Sequence, residues 1–456
     1  MSKYLFTKVS VILALIALLV IPLSLIEGQV HDRAEKRQTV VADIARTTAG
    51  FQEIVGPILV VPYKVRRMEQ EEVLVHQDGK VNTVVRTKEV ITDHLRLILP
   101  SELSWKSNLK TQTLYRGLYQ ARTYTTKGQI TGQFELDFAD LASAPTSTVG
   151  EPYLALGISD VRGIRNTLTL AWQDQQLTFL PGARLKSLGS GVHLPLPGLR
   201  ADAKGKYTFA LPLELLGTES LSFVPVGKAN RVELAADWPH PSFFGDSLPA
   251  SRTVTDSGFS AQWQSTWFNT DISQLDLGSG DTGPSWSNKA FGVRLIEPTD
   301  DYQQTERALK YAILFVLLTF SAFFLFEILR RLPIHPMQYA LVGAALAMFY
   351  LLLLALSEHL PMATAFVVAS SACVALIGVY LTHVLQHWLA GTGFAAGLAL
   401  LYAMLYGLLQ SEDSALLLGA LLLFAALASI MLLTRKLNWY TVSARAPLPA
   451  DLAGPQ

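Results

Sequence analysis

The chain has 456 residues, half of them hydrophobic, with 16% charged and a formal net charge of zero. Bulk electrostatics therefore give no reason to expect nucleic acid or another polyanion as a partner. The charge content, well below the ~25% of soluble domains, points to lipid instead, and a single cysteine, Cys373, excludes a disulfide framework.

In chain order, Val9–Ile26 is the first of six runs free of Asp, Glu, Lys and Arg. The others are Tyr311–Phe326, Met337–Leu356, Met362–Leu381, Trp388–Leu408 and Ala415–Leu433. A helix crosses ~30 Å of hydrocarbon with ~20 mostly apolar residues, and one charge at its centre costs about 2.5–3.5 kcal/mol. Six transmembrane helices are expected. Tyr311–Phe326 reaches full length once extended to Ala308 and Leu329, which places Lys310 and Glu327 near its ends. The first run is read as a retained anchor. A signal peptide is the alternative, but the run is long for an h-region and its exit, LSLIEGQ, has no small-x-small cleavage site.

Beyond the anchor, Arg33–Ala49 carries a helical pattern, and then the period changes to two. In Gln129–Phe138 the residues Ile130, Phe134, Leu136 and Phe138 share one face. Val81–Pro100 reads as a strand pair, and Thr167–Leu180 as two short strands about Asp174-Gln175. Tyr207–Leu215, Arg231–Ala235 and Gly258–Trp263 alternate in the same way, with Pro and Gly clustered between runs. Many short strands and few helices predict an antiparallel sandwich or stacked sheets. Gly278–Pro284 reads as a turn or linker.

The expected fold class is thus membrane α plus soluble β. Residues 1–27 form an anchor, 28–307 a large sandwich-like β-rich domain of one or two subdomains, 308–434 a five-helix transmembrane bundle, and 435–456 a tail. Basic residues set the orientation. With the N-terminus cytoplasmic, Lys3, Lys8, Arg330, Arg331, Arg435, Lys436 and Arg445 lie inside. The two short outer loops then hold only Glu358, Glu412 and Asp413. Both termini are expected in the cytoplasm and residues 28–307 in the periplasm.

Few motifs carry chemistry. Gly245-Asp246-Ser247-Leu248 spells a serine-esterase signature, but no α/β alternation surrounds it and no histidine lies between Ser247 and the second span. A triad is recognised by geometry rather than by one short string. The plainer reading is an aromatic-capped loop, with Gly245 turning the backbone and Phe243 or Phe244 plugging a core. His383 and His387, four residues apart, share a helix face but have no evident further ligand. Glu327 is read as an ion pair with Arg330 and Arg331 at the inner interface rather than a proton relay. Gly393–Gly397 has the spacing that lets two helices approach closely.

Several stretches together resemble the CreD family of bacterial inner-membrane proteins: Arg116-Gly117-Leu118-Tyr119 with Tyr124 and Gly132-Gln133-Phe134; Leu156–Asn166, LGISDVRGIRN; Pro225-Val226-Gly227; Asp237–Arg252; Phe291–Leu329; and Pro333–Leu360. The similarity runs from about residue 28 to about 435. Within it, Ser242, Phe243, Gly245, Leu248, Pro249 and Arg252 fill family places, Asp246 and Ser247 fall on variable ones, and Trp267–Ser287 departs from the pattern. The resemblance implies a role in cell-envelope integrity, linked to the CreBC two-component regulon, colicin tolerance and β-lactam stress response. It implies no chemistry.

Arg116, Arg162, Arg231, Trp238, Pro241, Ser242, Phe243, Gly245 and Arg252 are the candidate structural or ligand residues. Asp301, Tyr302, Glu306 and Arg307 are candidates for coupling the domain to the second helix. No catalytic group, cofactor or metal is expected. The expected partners are membrane lipid and an envelope component or another inner-membrane protein. A non-enzymatic binding or sensing role is the main reading. The alternative is transport through the C-terminal helices, along Tyr350, Ser370, Ser371, Thr392, Tyr402 and Tyr406.

Overall fold

The computed structural model describes residues 3–77, 80–138, 147–199, 203–270, 275–277, 286–297, 301–330, 334–384, 388–411 and 415–435. The linker expected at Gly278–Pro284 and the inner residues Arg331, His387, Lys436 and Arg445 lie outside them, as do Glu412 and Asp413. The chain divides into two compact units, residues 37–298 and residues 1–36 with 299–456.

Residues 37–298 are built from β1 (Gln52–Gln77), β2 (Lys80–Ile98), β3 (Glu102–Arg116), β4 (Tyr119–Asp137), β5 (Ser147–Val149) and β6 (Tyr153–Ile158). There follow β7 (Thr169–Trp172), β8 (Gln175–Thr178), β9 (Leu180–Pro181), β10 (Gly191–Pro195), β11 (Lys204–Thr218) and β12 (Ser220–Val224). The series ends with β13 (Ala229–Ala236), β14 (Pro241–Gly245), β15 (Ser251–Thr255), β16 (Gly258–Thr266), β17 (Leu275–Leu277) and β18 (Phe291–Leu295). One sheet has ten strands, in the order β14-β18-β12-β1-β6-β10-β9 with β2, β5 and β17 attached. The other has eight, in the order β15-β16-β13-β3-β4-β11-β7-β8.

The inner faces of both sheets share one apolar core. Trp105 of β3 meets Phe223 of β12 edge-on at 4.0 Å, and Trp263 of β16 stacks on Phe291 of β18 at 5.6 Å. Such pairs add to the free energy of burial itself. The first sheet also buries its outer face, where Val55, Ile58, Val60, Leu97, Tyr153 and Trp286 form a second cluster. Central strands β1 and β6 are therefore apolar on both sides, and their sequences, IVGPILVV and YLALGI, do not alternate. That is why neither stands out by period.

Three sequence expectations change. Val81–Pro100 is not a strand pair: β2 is one strand, and its antiparallel mate is β1, from Leu59↔Ile98 to Gln77↔Lys80. The sheets are not wholly antiparallel, since β1 runs parallel to β12 and β3 parallel to β13. The aromatic stretch is not a loop but the edge strand β14, paired among the described residues with β18 alone. Pro241 is its first residue, a place where a missing N–H costs no ladder bond.

In the other unit, α1 (Lys3–Thr47) begins the chain, continues past the apolar run and ends within residues 37–298. Then come α2 (Asp301–Lys310), α3 (Ala312–Arg330), α4 (Pro336–Ser357), α5 (Met362–Val384), α6 (Trp388–Gln410) and α7 (Ala415–Thr434). Among the described residues six helices are long and apolar enough to cross a membrane: α1 and α3 to α7. The core of this unit includes Leu23, Ile26 and Val30 of α1, Phe320 and Phe323 of α3 and Tyr339 of α4. Gly343 lets α1 approach α4, because a Cβ there would lie 2.4 Å from Leu19 and 2.9 Å from Phe320.

Candidate functional site

Three polar clusters organise the molecule, and none was evident in full from the sequence. The first lies where α1 ends. Gln52, the first residue of β1, is fully buried. A buried amide costs free energy unless it is bonded, and here Nε2 donates to the carbonyls of Asp160 at 3.0 Å and Leu216 at 2.9 Å. Ser159 Oγ donates to the Phe51 carbonyl at 2.8 Å and accepts the Glu53 N–H at 2.9 Å.

Asp160 caps the turn Val161–Gly163, accepting the Arg162 N–H at 3.1 Å and the Gly50 N–H at 2.9 Å. Its carboxylate is also gripped bidentately by the Arg162 guanidinium, at 2.8 and 2.6 Å. These bonds, led by those from Arg162, hold the Asp160 carboxyl at about 2. Arg162 also donates to the Arg46 carbonyl at 2.5 Å, in the last turn of α1, where a cation suits the helix dipole. Gly163 is fixed by crowding, since a Cβ would stand 2.3 Å from the Leu216 carbonyl. Each polar letter of the SDxRG stretch thus has a bond or a packing reason.

The second cluster lies beside the first: Thr218 bonds the Ala49 and Gly50 carbonyls, and the Glu219 N–H donates to the Arg122 carbonyl at 2.9 Å. Arg122, on β4, donates to Glu297 from Nε at 3.1 Å and Nη2 at 2.6 Å, and also to the Thr113 hydroxyl. Its guanidinium lies 3.8 Å from the centre of the Trp238 ring. Trp238 Nε1 donates to the Ile296 carbonyl at 3.1 Å, and Asp237 accepts the Thr111 N–H at 2.8 Å. The WPHPSFFG stretch therefore fastens residues 296–297 to the β3–β4 hairpin. The tip of that hairpin also reaches α1: Arg116 lies 3.4 Å from Asp43. One hairpin thus holds the segments where the chain enters and leaves the domain.

The third cluster is in the helical unit. Lys8 of α1 pairs with Glu327 of α3 and also donates to the Ile334 carbonyl at 3.0 Å. The Tyr339 hydroxyl donates to the other Glu327 oxygen at 2.8 Å. Lys8, Glu327 and Tyr339 are all buried. The described partners of Glu327 are Lys8 and Tyr339; the expected ones, Arg331 and the Arg330 side chain, lie outside the described residues. Farther along α1, Arg33 pairs with Glu358 at 3.1 Å, in the turn after α4. Both stations tie α1 to the helices around it.

The sequence candidates do not converge on one cleft. Arg162 and Arg116 serve α1, and Trp238 serves the exit. Arg231 pairs with Glu233 at 3.0 Å on its own strand. It also lines a pocket beside Trp105 and Asn230 with room for about one water. Arg252 lies 5.9 Å from the Phe243 ring. Phe243 packs on Phe259 and Trp263, each at 5.6 Å. Ser242 stands opposite Arg294 in the ladder. Gly245 has φ +101°, and a Cβ would lie 2.1 Å from the Ala290 carbonyl, so glycine is required there.

The esterase string gains no support. Asp246 lies 3.8 Å from Lys289, and the His240 ring packs edge-on against Trp238. Among the described residues no group of His, Cys, Asp and Glu is placed to hold a metal, and His387, half of the expected pair, is not among them.

Of the coupling residues, Glu306 pairs with Lys310 on its own helix at 3.0 Å, and Arg307 is half-buried in α2. The side chains of Asp301 and Tyr302, also in α2, are outside the described residues. A Cβ added at Gly393 or Gly397 would meet nothing within 4 Å among the described residues; α5 and α6 approach closely at Gly391 on Thr382 and at Gly378 on Ala395. The suggested conduit residues are dispersed. Tyr350 and Tyr402 are buried among Phe349 and Phe366, while Ser371 and Thr392 face outward.

Against known proteins, the profile of the family described as Inner membrane protein CreD matches residues 4–440. The Inner membrane protein CreD of Escherichia coli (strain K12) is 40% identical over 441 residues, covering 96% of this chain and 94% of that one. An M1 zinc metallopeptidase structure from Deinococcus radiodurans aligns with 43% of this chain and 41% of its own at 9% identity and a TM-score of 0.19. A mutant of it bound to a Tyr-Ser-Ala substrate aligns at 10% identity and 0.20. Scores that low bear on neither fold nor activity.

Proposed function

The chain belongs to the CreD family of inner membrane proteins, and from that premise we propose that it supports cell-envelope integrity by binding or sensing an envelope component. In this reading the β-rich domain, on the periplasmic side, receives the component, the helices anchor it, and no chemical step is performed. The domain boundaries are those given above, residues 28–307 outside and the termini inside.

One observation carries the reading. The β3–β4 hairpin grips α1 through Arg116 and Asp43, and grips the exit segment through Arg122 and Glu297. The domain thus holds both the segment by which the chain enters it and the segment by which the chain leaves. The transport alternative has no comparable support, because its candidate residues split between a packed aromatic core and outward faces.

The test removes residues 37–298 and joins α1 to α2 with a flexible linker, in cells lacking the native protein. Permeability to a large antibiotic is then measured. The proposal expects helices alone to leave the envelope leaky; full rescue by the helices would refute it.

A further inference from the structure

The chain passes from one sheet to the other across a single residue. β11 ends at Thr218 in the eight-stranded sheet, and β12 begins at Ser220 in the ten-stranded sheet. Between them Glu219 has φ +62°. A side chain disfavours that left-handed conformation, which persists only where the surroundings hold it.

Both ends of the domain's chain do the holding. On the entry side, the Thr218 N–H donates to the Gly50 carbonyl at 3.0 Å, and its hydroxyl donates to the Ala49 carbonyl at 2.6 Å. The Leu216 carbonyl accepts from Gln52 Nε2 at 2.9 Å. Thr218 is 2% exposed, so water has little access to a lost bond.

On the exit side, the Glu219 carbonyl accepts the Leu295 N–H at 2.8 Å. The Glu219 N–H donates to the carbonyl of Arg122, the residue whose guanidinium holds Glu297. The Ser220 carbonyl accepts from the buried Tyr124 hydroxyl at 2.6 Å. Gly217 joins the two sides. A Cβ there would lie 2.3 Å from the Tyr124 hydroxyl and 2.9 Å from the Gln52 side chain, so both pack directly on this glycine.

We propose that residues 216–220 are a latch, through which the entry segment, residues 49–52, and the exit segment, residues 295–297, open in one cooperative step. The latch has two states. Closed, Glu219 is left-handed and both segments are bonded. Open, Glu219 relaxes to negative φ, which turns its N–H and carbonyl away from their partners and frees both segments together. The device is internal to the domain and does not depend on what the domain receives.

The test is hydrogen exchange of the full chain in lipid nanodiscs. Thr218→Val removes the hydroxyl bond to Ala49, on the entry side. It should speed exchange about tenfold at residues 50–53, and by a similar factor at residues 295–297, to which that hydroxyl makes no bond. Glu297→Ala, on the exit side, should speed residues 50–53 as well as 295–297, because coupling is reciprocal. Residues 169–172 of β7 should keep their rates in both variants. With Glu219→Gly added, positive φ costs little, and each cross effect should fall away. Effects confined to the substituted side would overturn the proposal. So would an equal rise at β7, or cross effects that survive Glu219→Gly.

Discussion

The ion pairs of the β domain and the buried Lys8–Glu327 pair of the helical unit use the same chemistry in different surroundings. Arg122 and Glu297 retain some access to water, with side chains 12% and 18% exposed, and Arg162 is 54% exposed beside Asp160. Lys8 and Glu327 are each 8% exposed, among helices of membrane-spanning character. Water can stand in for a lost partner in the domain but hardly at all in the bundle. The comparison teaches that the domain pairs fasten strands and segments, whereas the buried Lys8–Glu327 pair helps to hold α1 in the bundle.

Breaking one partner in each place separates the two roles. Glu327→Ala strands the Lys8 charge and should cost about 3–5 kcal/mol of bundle stability, read as lower melting in detergent and release of α1 to protease. Lys8→Met with Glu327→Met should recover most of it, because an apolar pair of similar volume carries no buried charge.

In the domain, Arg122→Ala loses the carboxylate bonds and the Trp238 contact together. The expected loss is about 2–3 kcal/mol, seen as faster hydrogen exchange at residues 291–297 with the bundle unchanged.

Asp160 sharpens the comparison by pH. Its folded pKa is about 2, below the usual carboxylate value, so its contribution is fully present above about pH 4 and fades as the pH falls toward 2. Screening of the half-exposed Arg162 limits it to about 1–2 kcal/mol. Asp160→Asn should flatten that acid dependence in exchange measurements at residues 158–164.

The smallest effect is expected from Arg116→Ala. The pair with Asp43 is solvated and 3.4 Å long, so the loss should stay below about 0.5 kcal/mol. A larger loss would mean that the hairpin tip carries more of the grip on α1 than its geometry suggests.

Much of this architecture was legible in the sequence. The six apolar runs needed only hydrocarbon thickness and the cost of burying charge. Solvated strands such as β11 and β13 showed their period of two because only one face is buried. Central strands β1 and β6 did not, being apolar on both. The polar clusters were the hardest to read. Arg162 and Trp238 were noticed through motifs, but Gln52, Arg122 and Glu297 look like ordinary polar residues until folding brings together positions far apart in the chain. Lys8 passed for a flanking topology signal, and only its contact with Glu327 reveals a second role.

Everything proposed for the domain depends on which side of the membrane it occupies. The most direct measurement places Gln176→Cys, on an exposed strand of the domain, in the Cys373→Ser chain and applies a membrane-impermeant maleimide to intact spheroplasts. The account predicts full labelling without lysis. Labelling only in inverted vesicles would contradict it.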